Sequence, residues 1–138
     1  MAITAAFCDS FKLEILEGVH QPGDVYKMAL FQSSATLGSG TTAYSSSGEV
    51  SGSGYSAGGI ALSGFAASLD GSTALLDWSD PTWPNATITA RGALIYNASR
   101  GDAAVAVLDF GTDVSSTAGA FTVQLPAPTA GTAVVRIG

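Results

Sequence analysis

The residues that invite a chemical reading lie in a segment rich in small side chains. SSATLGSGTTAYSSSGEVSGSGYSAGG, residues 33 to 59, holds sixteen Ser or Gly in twenty-seven positions. Within it GYSAG, residues 54 to 58, spells the G-x-S-x-G turn that exposes a nucleophilic serine, here Ser56. That turn works between a strand and a helix, with an acid and then a histidine following the serine in the chain. The only histidine, His20, precedes Ser56, and no helical period follows. A serine nucleophile is therefore not expected. The same segment lacks G-x-x-x-x-G-K-[ST], spaces its glycines wrongly for G-x-G-x-x-G and contains no lysine, so a phosphate loop is not expected either.

Asp77 and Asp80 flank Trp78, and Asp109 and Asp113 flank a glycine. Carboxylates so spaced can serve glycoside hydrolysis or hold calcium, yet they also cap turns, and the Asp-rich calcium loop with its distal glutamate is missing. A solitary histidine, His20 beside a Pro-Gly turn, cannot build a zinc site and reads as a surface or capping residue. Cys8 stands alone, which excludes an intrachain disulfide and a multi-cysteine metal site. The acceptor patterns NAT (85 to 87) and NAS (97 to 99) come without a visible export signal in MAITAAFCDSF and read as coincidence. The expectation is no catalytic residue, no metal and no cofactor.

The surface charge points the same way. With a net charge of -6, and with Lys12, Lys27, Arg91, Arg100 and Arg136 scattered, the chain repels phosphate backbones, so nucleic acid and anionic membrane are not expected as partners. No apolar run reaches the length of a membrane-spanning helix. At 138 residues, 46% hydrophobic and 12% charged, the chain fits one folded domain, residues 1 to 138.

The elements follow from periodicity. DSFKLEILEGV, residues 9 to 19, places Phe11, Ile15 and Val19 at i, i+4 and i+8 with Leu16 beside them, with Asp9 or Ser10 as cap and Gly18 with the Pro-Gly at 22 to 23 as stop, and predicts one short N-terminal α-helix. Strands are expected over 24 to 32, 58 to 66, 72 to 79, 85 to 97, 103 to 110, 120 to 126 and 132 to 137. Seven to eight short strands predict a mainly β fold, an antiparallel β-sandwich or small barrel. In the strand 85 to 97, Ile88, Ala90, Leu94 and Tyr96 form one face and Thr87, Thr89, Arg91, Ala93 and Ile95 the other. DPTWP, 80 to 84, reads as a fixed corner, and Trp78 and Trp83 as seals on one end of the core. Leu37, Tyr44, Val50 and Tyr55 give the Ser/Gly-rich segment anchors that a linker lacks, so it reads as an ordered excursion with short strands near TTAY and SGSGY.

The order of segments CDSFKLEILEGVHQPGDVYKMALF, the Ser/Gly-rich stretch, TITARGALIYN and AVAVLDFG resembles a group of small virion proteins of tailed bacteriophages, in which an F-K-x-E-[IL]-x-x-G-x-H helix leads to a K-x-A-L strand. The resemblance runs from about Phe7 to Leu125. It implies a non-enzymatic capsid decoration, or cement, protein made in the host cytoplasm and carried on the virion surface, with the major capsid protein and its own copies (homotrimer or homodimer) as partners. Two pieces then become candidate contacts: the helix face of Phe11, Ile15 and Val19, and Val134, Val135 and Ile137 in the C-terminal tail or strand, 127 to 138, which can add to a neighbour's sheet edge. A tail or receptor-binding module is the alternative, with Trp78, Trp83, Tyr44 and Tyr55 stacking on a cell-surface glycan.

Overall fold

The computed structural model describes residues 3 to 126, 128 to 129 and 131 to 137. Among them, eight strands and one helix follow in the order β1 (Ala6–Phe7), α1 (Asp9–Leu16), β2 (Tyr26–Phe31), β3 (Ile60–Ala61), β4 (Ala66–Asp70), β5 (Thr73–Asp77), β6 (Thr82–Asn97), β7 (Ala103–Thr122) and β8 (Val135–Ile137). They form two antiparallel sheets, β1-β7-β6-β2-β3 and β4-β5-β8, in a sandwich-like arrangement without a closed barrel.

β6 is the spine of the larger sheet. Its first half alternates as expected, with Trp83, Ala86, Ile88 and Ala90 buried and Thr87 and Thr89 exposed. From Gly92 to Asn97 every residue is buried, because β2 and β7 flank it there and both faces are covered. Ala93 and Ile95, expected on a polar outer face, are therefore core residues. DPTWP does not break the ladder. Thr82 pairs with Thr122 and Trp83 with Phe121, and Pro84 falls in the irregularity between Trp83 and Ala86, where a missing N–H costs no ladder bond. The strands expected at 103 to 110 and 120 to 126 are one strand, β7, which runs through GTDVSSTAG by bulging: Gly111 and Ala118 take positive φ, and the register with β6 shifts beside each.

The segment expected as one strand over 58 to 66 splits. Ile60–Ala61 closes the edge of β2, and the chain then crosses to the smaller sheet, starting β4 at Ala66. Tyr26, Phe65 and Trp78 pack ring to ring at the junction of the two sheets, with centroids 5.4 to 5.9 Å apart. Trp78 and Trp83 are both buried, as expected of core seals.

The helix is shorter than its period. It ends at Leu16, and Gly18, at φ +73°, turns the chain so that the Val19 N–H reaches the Glu14 carbonyl and the Gly18 N–H the Ile15 carbonyl. This is a Schellman closure, and Val19 extends the apolar spacing from beyond the helix end. Cys8, rather than Asp9 or Ser10, occupies the N-cap position and offers no side-chain cap. Phe11 is the buried residue of the helix.

Candidate interaction surface

The Ser/Gly-rich excursion wraps along the large sheet. At one end Thr4 N–H bonds Leu37 O, and Ala104 N–H bonds Thr42 O beside the Ala43–Ala103 bridge, which ties the excursion to the β7 side of the large sheet. At the other end Gln32 N–H bonds Gly48 O, Val50 N–H bonds Leu30 O and Thr87 N–H bonds Ser53 O, which covers the free edges of β2 and β6. The expected short strands are reduced to these single bridges and bonds. Of the expected anchors, Leu37 and Val50 are buried and Tyr44 and Tyr55 half-buried, and Glu49 joins the two tyrosines. The carboxylate accepts the Tyr44 hydroxyl at 2.6 Å, the Tyr55 hydroxyl at 2.5 Å and the Gly58 N–H at 2.8 Å. Leu30 N–H in turn donates to the Tyr55 oxygen, and the Tyr96 hydroxyl to Gly58 O. Burial, with the Glu49 hydrogen bond second, holds the Tyr44 and Tyr55 phenols far above their usual range, and burial pushes Tyr96 up to about 12.

Of the groups that could have carried chemistry, His20, Asp80 and Asp109 are engaged in structural contacts, Asp113 lines a polar groove, and one carboxylate oxygen of Asp77 is buried without a hydrogen-bond partner. Ser56 is exposed in a turn whose carbonyl accepts the Gly59 N–H. His20 is not a surface residue: its side chain is 4% exposed and packs edge-on to Phe11. The Asn97 amide donates to His20 Nδ1 at 3.0 Å, so Nδ1 accepts and Nε2 carries the hydrogen given to Glu14 at 2.9 Å. Asn97 also donates to Asp24, which Arg100 grips with two nitrogens at 2.9 and 3.0 Å. The Arg100 hydrogen bond, followed by that from Asn97, holds the Asp24 carboxyl well below the usual range. Burial pushes the Cys8 thiol up to about 11. Asp80 accepts the Leu125 N–H, and Asp109 accepts the Gly111 N–H and faces Arg91. Among the described residues no three His, Cys, Asp or Glu side chains gather to hold a metal ion.

The expected contact residues divide. Phe11 and Val135 are buried in the core, Ile15, Val19 and Val134 are half-buried, and Ile137 is 51% exposed. β8 pairs with β5 of its own chain, Val135 opposite Leu76 and Ile137 opposite Ala74, so the C-terminal strand is docked within the molecule. The helix shows a second apolar side, and Leu16, expected beside the docking face of Phe11, Ile15 and Val19, stands on it instead. Leu13 and Leu16, three residues apart, are 58% and 86% exposed.

These two elements meet. Phe7, Lys12, Ile15, Leu16, Arg136 and Ile137 line an open groove of about 430 Å³ between α1 and β8. Lys12 sits over the Phe7 ring, 4.9 Å from its centroid, and pairs with Asp9. The groove thus has an apolar floor and carries two of the chain's five cations. A second groove, about 490 Å³, is polar and lies between the excursion and the β6–β7 ribbon, with Gln32, Ser51, Thr89, Asp113 and Ser115 in its walls. The four rings expected to stack on a glycan are absent from it. Trp78 and Trp83 are buried, Tyr44 stacks on Tyr96 and Tyr55 on Trp83.

No family model matches the chain, and comparison with curated proteins and with solved structures finds no match either.

Proposed function

We propose that the protein is a non-enzymatic virion component of a tailed phage, a capsid decoration protein that acts by surface contact with the major capsid protein. The observation that carries this reading is the groove between α1 and β8, with Leu16 in its wall and Leu13 exposed on the same helix. Large aliphatic side chains left in water on a helix face, next to an apolar groove with charged rims, suit a protein partner. The phage context rests on the sequence resemblance. A tail or glycan-binding module stands second, because the rings it would use are engaged inside the fold.

The test is reconstitution. Purified protein mixed with heads lacking it should co-sediment with them and raise their resistance to heat. Leu16→Asp and Ile137→Asp, at exposed positions, should abolish co-sedimentation while thermal unfolding of the free protein stays close to wild type. Binding to tails or polysaccharide without binding to heads would overturn the reading.

A further inference from the structure

Sheet edges expose N–H and C=O groups that can pair with another chain, and proteins ordinarily shorten, bulge, cover or charge them. Most edges of this molecule carry such a device. β1 and β3 are two residues long and β8 three. The excursion covers β6 and β2. The outer side of β7 is broken by extra residues near Gly111 and Ala118.

β4 carries only one of them, the charge of Asp70 at its end. Ala66–Asp70 pairs one-to-one with β5 without a bulge, all five residues are exposed, and the strand contains no Lys, Arg or Pro. Among the described residues no strand pairs with its outer side. The two-residue turn Gly71-Ser72, with Gly71 at φ +63°, makes Asp70 and Thr73 the pair that closes the hairpin. Alternation of hydrogen-bonded pairs then directs the backbone of Ala66, Ser68 and Asp70 to β5 and that of Ala67 and Leu69 outward.

We propose that β4 pairs antiparallel with β4 of a second copy of this chain, about a twofold axis at Ser68, so that Ala67 of each copy exchanges both backbone hydrogen bonds with Leu69 of the other. A second copy fits because the strand is self-complementary. In this register the outward donors and acceptors all meet, and Asp70 lies opposite Ala66, so two acidic chains bring no carboxylates face to face. The side chains agree. Ala67, Leu76 and Val135 are in register on one face, as are Leu69, Ala74 and Ile137, so the face carries no charge. Pairing joins two such faces across six strands and gives Leu69, 71% exposed in the single chain, an apolar cross-strand neighbour. Ile137 borders both surfaces, but β4 itself supplies none of the groove's lining, and the dimer is measured without heads, so its failure and that of the shell reading are distinguishable.

Sedimentation velocity of the full chain, without heads, from micromolar to millimolar concentration should show a monomer–dimer equilibrium. Ala67→Pro removes one outward N–H and no β4–β5 bond, and Leu69→Lys charges the edge; each should abolish the dimer without shifting thermal unfolding measured at monomeric concentrations. Ser68→Cys should form an intermolecular disulfide under mild oxidation, because side chains approach closely at a non-hydrogen-bonded pair. The wild type, whose Cys8 is buried, should form none. A wild type that stays monomeric throughout, or a Ser68→Cys chain that does not cross-link while the hairpin remains folded, overturns the proposal. Should Ala67→Pro disturb the hairpin, the cross-link at position 68 decides.

Discussion

Two carboxylates organise this protein, and each does so by collecting donors. Glu49 gathers two phenols and a backbone N–H from three places in the excursion. Removing it strands all three in a half-buried site, where each lost partner costs about 1–3 kcal/mol less whatever water restores. Glu49→Ala should therefore lower unfolding stability by about 2 kcal/mol in denaturant titrations. A change below about 0.5 kcal/mol, typical of a plain surface substitution, would mean that the excursion is ordered by other contacts. Asp24 links the turn before β2 to Asn97 and Arg100. Its carboxyl titrates lower in the fold than in the unfolded chain, so its contribution is complete above an ordinary aspartate value of about 4 and is lost as the pH falls through the depressed folded value. Below about pH 4, wild type should lose stability more steeply than Asp24→Asn, measured by chemical unfolding at stepped pH. Parallel curves would assign acid sensitivity to other carboxylates.

The elements explain which parts of the fold were legible. Strong β formers announce β2 and the core of β6, and the Phe11–Ile15 spacing announces α1. Three features were hidden. AASLD is poor in strand formers, so β4 is imposed by its turn and by pairing with β5 rather than by its own propensity. The breaks read at GTDVSSTAG are bulges within a continuous strand, because glycine and small residues mark both. The outward side of α1 was hidden because Leu16, next in sequence to Ile15, reads as part of the apolar stripe that docks Phe11, whereas it stands 86% exposed with Leu13 three residues before it. The excursion was legible as ordered, and its glycines say why it needs them. A Cβ on Gly59, at φ +77°, would sit 1.7 Å from Met28 O, and one on Gly54, at φ +81°, 1.9 Å from Asn85 O. Gly40 has no neighbour within 4 Å and no positive φ. Gly59→Ala should cost more than about 2 kcal/mol, through positive-φ strain and displaced backbone, and raise amide exchange across 48 to 61, whereas Gly40→Ala should stay within about 0.5 kcal/mol. Equal effects at the two positions would show that the excursion does not press on the sheet edge.

At the scale of the whole molecule, the two sheets differ in how they are held. The large sheet has β6 and β7 paired along most of their length, with the excursion over it and α1 beside it. The small sheet is a hairpin joined to the core through Trp78 and Phe65 and completed by β8. Two strands alone are marginal in water, so β8 decides whether the hairpin is ordered. It also contributes Val135 to the core, with Ala133 buried just before it. Deleting residues 128 to 138 should therefore leave the large sheet folded while amide protection over 66 to 77 collapses. Val135→Ala, which keeps the strand and removes only part of the buried side chain, should cost about 2 kcal/mol and lower protection in the small sheet first. Hydrogen exchange followed by mass spectrometry separates these outcomes. Protection over 66 to 77 that survives the deletion would mean that Trp78 and Phe65 suffice to hold the hairpin. Uniform loss in both sheets would mean that they unfold as one unit, and that β8 serves the entire core rather than the edge that it completes.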